Sequence, residues 1–262
     1  MKRIFYYIRI WLLMSKNSFM VYITQKLVFA MFLFGKITRF IFFLGFIYFL
    51  VKGANSLAGF SINQTIFFFL TFNLVDVISQ FLFREVYRFR SLLVTGDFDL
   101  ILVKPISSLF RVLMGGADVI DLVTIPPLII ALIYVGKMLD PNIYQVILYS
   151  LLVVNSLIIA TSFHIAVLSF GIVTLEIDHS IMIYRDILNL GRFPIDIYKE
   201  PLRGILTFLI PVGIMISLPV KALMGLINPP VVFGSFALGV LLLFLSLKFW
   251  NYALRFYTSA SS

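Results

Sequence analysis

The residues of this chain that could carry chemistry fall into two sets. The first is a crowd of charges at residues 84–111, REVYRFRSLLVTGDFDLILVKPISSLFR, which holds five of the 21 basic and three of the 12 acidic residues. The second is four ionisable side chains in or beside long apolar runs: Asp76, Asp118, Asp121 and His164. An unpaired charge in hydrocarbon costs several kcal/mol. The first set must therefore face water or a protein partner, and the second must be paired or serve a passage. Asp118 and Asp121 are three apart and share a helix face. Two readings of Asp76 stand open, an ion pair with Lys36 or Arg39 and a role in transport. His164 is open between a neutral imidazole hydrogen-bonded inside a bundle and a contact to substrate or proton.

Other chemistries lack their residues. With no cysteine there is neither a disulfide framework nor a thiolate nucleophile or metal ligand. His164 and His179 are not in HExxH spacing, no GxSxG occurs, and Gly35-Lys36 and Gly136-Lys137 lack the leading glycine and following Ser/Thr of a phosphate-binding loop. We expect no catalytic residue, no metal site and no ATP hydrolysis within this chain.

The elements that must position these residues are membrane helices. Only 13% of residues are charged, against about 25% in soluble domains, and 61% are hydrophobic. Uncharged runs of 23, 35, 17 and 26 residues start at Gly53, Pro141, Gly204 and Ala222, and roughly 20 residues cross a bilayer as a helix. Two shorter runs reach that length with their flanks, the first if Lys36 and Arg39 near the boundary extend their heads to water, the other by starting near Val112 with Asp118 and Asp121 in its first turns. The expectation is an all-α integral membrane bundle of six transmembrane helices in a single domain, residues 1–262. The spans fall at about 30–52, 61–83, 112–136, 143–175, 203–220 and 230–250.

On that topology 18 basic residues lie on the side of the termini, against Lys52, Lys137 and Lys221 on the other. This asymmetry predicts that both termini and residues 84–111 are cytoplasmic, in a multi-pass protein of the inner (plasma) membrane. It also accounts for the net charge of +9 without nucleic acid. Residues 1–25 carry Ile4, Phe5, Ile8, Trp11 and Leu12 at helical spacing among basic residues, the pattern of an interfacial helix on the lipid bilayer. Residues 176–202 predict a cytoplasmic loop with an amphipathic helix, striped by Ile181, Tyr184, Ile187 and Leu188. Residues 218–230 are open between a loop and a short re-entrant helix.

Within 84–111, Gly96-Asp97 signals a turn after a helix that leaves the membrane, and Lys104-Pro105 ends the next stretch. Asp97 and Asp99 are expected to cap or to pair with Arg88 or Arg90. The result is a compact helix-turn element suited to docking.

The run YRFRSLLVTGDFDLILVKPISSLFRVL, from Tyr87 to Leu113, resembles the signature of ABC-2 type permeases: Arg-Phe-Arg, then a Gly-acid-x-Asp turn, then Leu-x-Lys-Pro. RFPIDIYKEPLRGILTFLIPVGIMISLP, from Arg192 to Pro219, resembles the same family's passage into its fifth span. The resemblance covers nearly the whole chain. It implies a transmembrane permease subunit of an ABC exporter, paired with a second permease copy or a related permease and driven by a separate ABC ATPase that binds ATP and Mg. Residues 84–111 would then be a coupling element between spans two and three. In it Arg84, Arg88 and Arg90 would give charge complementarity, Gly96 would allow the turn and Asp97 and Asp99 would fix or pair it, with Glu85, Lys104 and Pro105 also in the interface. The competing classes are an ATP-independent carrier, a membrane-embedded lipid-modifying protein and a sensor subunit that moves no cargo. The transported substrate is not legible.

Overall fold

The computed structural model describes residues 2–175 and 177–259. Helix α1 (Lys2–Thr24) meets α2 (Lys26–Ala54) across the single residue Gln25, and α3 (Ile62–Phe83) runs back. A 3-10 turn, Arg84–Arg88, leads into three short helices, α4 (Phe89–Val94), α5 (Asp97–Leu102) and α6 (Ser108–Leu113). Then come α7 (Val119–Lys137), α8 (Ile143–Thr174), α9 (Ile177–Asn189), the bent pair α10 (Leu202–Leu209) and α11 (Gly213–Leu223), and α12 (Pro229–Ala253).

Local chemistry sets these boundaries. Ser61 and Gln64 form a reciprocal capping box at the start of α3, and Asn142 and Gln145 do the same for α8, so each pair satisfies two backbone N–H groups that a helix start leaves open. Asp118 caps α7 by accepting from the N–H of Ile120 at 2.8 Å. Gly96, at φ 78°, takes the left-handed turn between α4 and α5 that a side chain would resist.

The central helices are α3 and α8, with α7 packed on α3 and α12 along α8. Backbones approach closely where Gly239 of α12 faces Asn155 of α8; a Cβ at Gly239 would collide with the Asn155 side chain. Asn155 donates to the carbonyl of Ser235 (3.0 Å) and Ser156 to that of Met215 (2.6 Å), so polar side chains join helices where water is excluded. Helix α8 spans 32 residues, about 48 Å at 1.5 Å per residue, and so outruns a hydrocarbon layer of roughly 30 Å.

Five helices are long and apolar enough to cross a membrane: α2, α3 with its extension, α7, α8 and α12 with its last turn. Residues 203–220, expected as one span, are instead broken, with α10 and α11 meeting at 76°. The break falls at Ile210-Pro211, where proline removes a helix hydrogen bond. Arg203 and Lys221, one near each end of this stretch and expected on opposite faces, bond the same carboxylate, Asp196, at 2.9 and 2.7 Å. The two ends of the stretch therefore lie close together, within reach of one carboxylate.

Residues 177–202, between α8 and the bent pair, turn back along the bundle. Ile177 packs on Gly171 near the end of α8, Tyr184 reaches the level of Phe83 beside His164, and Arg192 stacks on Phe72, 11 residues or about 16 Å further along α3. This part enters the bundle and is not the surface loop expected. Its stripe of buried residues (Ile177, Ile181, Tyr184, Leu188) faces α8 and the core.

Candidate functional site

The segment 84–111 sits at the basic end of the bundle, below α3. Its inward side chains (Val86, Phe89, Leu93, Phe98, Ile101) are fully buried in the main core with Ile165, Leu168 and Trp250. Phe98 lies edge-on to Phe89 (5.2 Å) and Tyr257 (5.0 Å) and contacts Trp250. The element is thus keyed into α8 and α12, and a push on α5 is borne by the long helices. Its outward side presents Val94, Leu100 and Val103, the last 80% exposed, beside Arg88, Lys104 and Pro105.

The expected interface residues divide by what they touch. Arg84 and Glu85 face inward. Arg84 Nε lies 3.2 Å from Asp118, Glu85 accepts from Arg111 at 3.1 Å, and Arg88 stands at 4.0 Å from Glu85. These pairs tie the turn below α3 to α6 and to the start of α7. Arg90 pairs with Asp178 of α9 at 3.2 Å. Asp97 accepts from the Thr95 hydroxyl, and Asp99 accepts from Tyr257 (2.9 Å) and Ser259 (2.5 Å), so neither acid pairs with Arg88 or Arg90 as expected. Burial and the Asp99 carboxylate push the Tyr257 phenol up to about 12, so it stays a donor beyond the pH of about 10 at which an ordinary phenol ionises. Gly96 makes the turn as expected.

Sequence reasoning missed the docking of α1 on this element. Ser107 N–H donates to the Tyr7 hydroxyl and Ala117 N–H to the Ser15 hydroxyl, each at 3.2 Å, and a Cβ at Gly116 would strike Ser18. The adjacent pair Gly115-Gly116 was the available signal. The opposite face of α1, with Ile4, Phe5, Leu12 and Leu13, is exposed.

The intramembrane candidates gather less completely. Lys36 bonds Asp121, and Asp118 takes Arg84, so both acids at the start of α7 are paired. Asp76 is not the partner of Lys36 or Arg39: among the described residues it makes no ion pair and accepts a hydrogen bond from Gln80 at 2.8 Å. Asp76 lines a cavity of about 280 Å³ between α2, α3 and α7, with Lys36, Arg39, Arg192 and the rings of Phe43 and Phe72. Arg192 was missed as a site residue, because a basic residue after an amphipathic stripe reads as a solvated loop. His164 does not line this cavity; it is buried between Phe83 and Tyr184, with Nδ1 2.7 Å from the Ala160 carbonyl. Among the described residues no three His, Asp or Glu side chains are grouped to hold a metal ion.

No curated protein and no solved structure matches the chain. A family model does match: ABC-2 family transporter protein, over residues 34–261. That range takes in most of α2, every later long helix, the keyed element below α3 and the cavity. Members of this family are generally the non-catalytic membrane subunits of transporters that associate with an ABC ATPase. With its apolar multi-pass helices, this chain belongs to the ABC-2 family of transporter proteins as a membrane permease subunit.

Proposed function

We propose that this permease exports its cargo using ATP hydrolysed by a separate cytosolic ABC ATPase, which binds the ATP and Mg, and that it works as a dimer with a second copy or a related permease. In this reading the basic end and both termini are cytoplasmic in the plasma membrane, and α1 lies along the bilayer surface on its exposed apolar face. The observation that carries the reading is the two-sided α4–α5 element. Phe98 and Ile101 are locked into the helices that must move, while Leu100 and Val103, on the same short helix or just after it, are free to enter a groove on the ATPase. Arg88 and Lys104 add charge at the rim, where complementarity governs association rate and partner choice more than affinity. The ion pairs of Arg84 and Glu85 transmit the motion to α7 and α6, which gives these two residues a positioning role. Reconstitution in liposomes with the ATPase tests this: ATP turnover rises when the permease is present. Turnover equal with and without the permease would overturn it.

A further inference from the structure

The cavity beside Asp76 contains more positive charge than its own acids cancel. Lys36 is already engaged by Asp121. That leaves the guanidiniums of Arg39 and Arg192 facing one carboxylate, Asp76, which already accepts from Gln80. Among the described residues neither arginine lies in an ion pair. Arg192 Nε is buried without a hydrogen-bond partner, and its guanidinium is held over Phe43 (5.1 Å) and Phe72 (5.5 Å). Stacking orients a guanidinium but leaves its in-plane N–H groups to be satisfied by an acceptor, and a planar fork suits phosphate or carboxylate. An uncompensated cation at this depth is costly, which favours an anion beside it.

The rest of the wall is apolar and aromatic apart from Asn73 and Thr124, each already donating to a backbone carbonyl, and the cavity reaches the surface of the bundle at Ile37, itself 46% exposed among lipid-facing residues of α2. At about 280 Å³ it is at the small end of ligand pockets, enough for a head group and the first part of a chain. We infer that this cavity binds an anionic amphiphile, its phosphate or carboxylate between Arg39 and Arg192 and its apolar chain along Phe43 and Phe72. Asp76 sets the opposing charge that limits how tightly the anion is held. The anion is that of exported cargo, in which case the inference rests on the reading above, or that of a lipid from the surrounding bilayer, and the displacement arms below separate the two sources.

The test is equilibrium binding of radiolabelled dodecyl phosphate to the purified full-length chain in an uncharged maltoside detergent, without ATPase. Saturable binding of one molecule per chain is expected. Arg39→Gln and Arg192→Gln should each weaken it at least about tenfold, Asp76→Asn should tighten it several-fold, and Lys137→Gln, at the far end, should leave it unchanged. Arg39 is exposed, so Arg39→Gln reports even if loss of Arg192 unfolds the bundle. Displacement by phosphatidylglycerol but not phosphatidylcholine identifies a bilayer lipid as the occupant; resistance to both identifies a single-chain amphiphile. Tighter binding of dodecyltrimethylammonium than of dodecyl phosphate, or affinity within twofold of wild type in Arg39→Gln and in every folded Arg192→Gln preparation, overturns the inference. Since no ATPase is present, either result leaves the test of ATP coupling independent.

Discussion

Lys36, on the second helix, reaches across to Asp121 in the first turn of α7, and this pair is largely buried where the two helices meet at the basic end. Removing one member of a buried pair strands the other charge, whereas removing both can be nearly neutral. Asp121→Leu should therefore cost about 3–5 kcal/mol, and Lys36→Met/Asp121→Leu markedly less. Unfolding in detergent, followed by tryptophan fluorescence, checks the order; a double variant as unstable as the single one would contradict the pairing.

The α8–α12 interface depends on a missing side chain. Gly239→Leu should separate the helices at Asn155 and lower the thermal midpoint or abolish folding. Gly45→Ala, on open surface of α2, should change little. Size-exclusion profiles after heating distinguish the two.

The chain has no cysteine, so single cysteines report sidedness on a clean background. Since Arg203 and Lys221 share Asp196, Lys199→Cys should react with a membrane-impermeant maleimide from the same side as Lys137→Cys, and Arg88→Cys from the other. Labelling of Lys199→Cys together with Arg88→Cys would instead make residues 203–220 a full span.

Much of this architecture was legible from run length, because α8 lies within an uncharged stretch that only a bilayer tolerates and most of α3 and α12 do the same. The sharp bend in the fifth expected span was not. Its 17 uncharged residues met the length criterion, but the deciding fact is the shared carboxylate at Asp196, which no local pattern encodes. In the same way the stripe Ile181, Tyr184, Leu188 is what a surface helix and a helix packed into a bundle have in common. In the polar segment the turn at Gly96 could be read from residue type, since the conformation is local. The inward pairing of Arg84 and Glu85 could not, because their partners Asp118 and Arg111 are 34 and 26 residues away and arrive only through folding.

Tyr257 straps the C-terminal turn to α5 through Asp99. Tyr257→Phe should remove about 1 kcal/mol of local stability and speed amide exchange in Asp97–Leu102. A phenol raised to about 12 when folded contributes fully below the unfolded value near 10 and is lost as pH climbs from there through 12. The wild-type protection of α5 should fade in that window, and that of Tyr257→Phe should not.

The central claim is that the outward side of α5 receives the ATPase. A photo-crosslinking amino acid placed in cells at Leu100 or Val103, both exposed, should capture a protein that mass spectrometry identifies as an ABC ATPase, whereas the same probe at Tyr134, exposed on α7, should not. Capture of such an ATPase equally from Tyr134, or its absence from both Leu100 and Val103, would contradict the account.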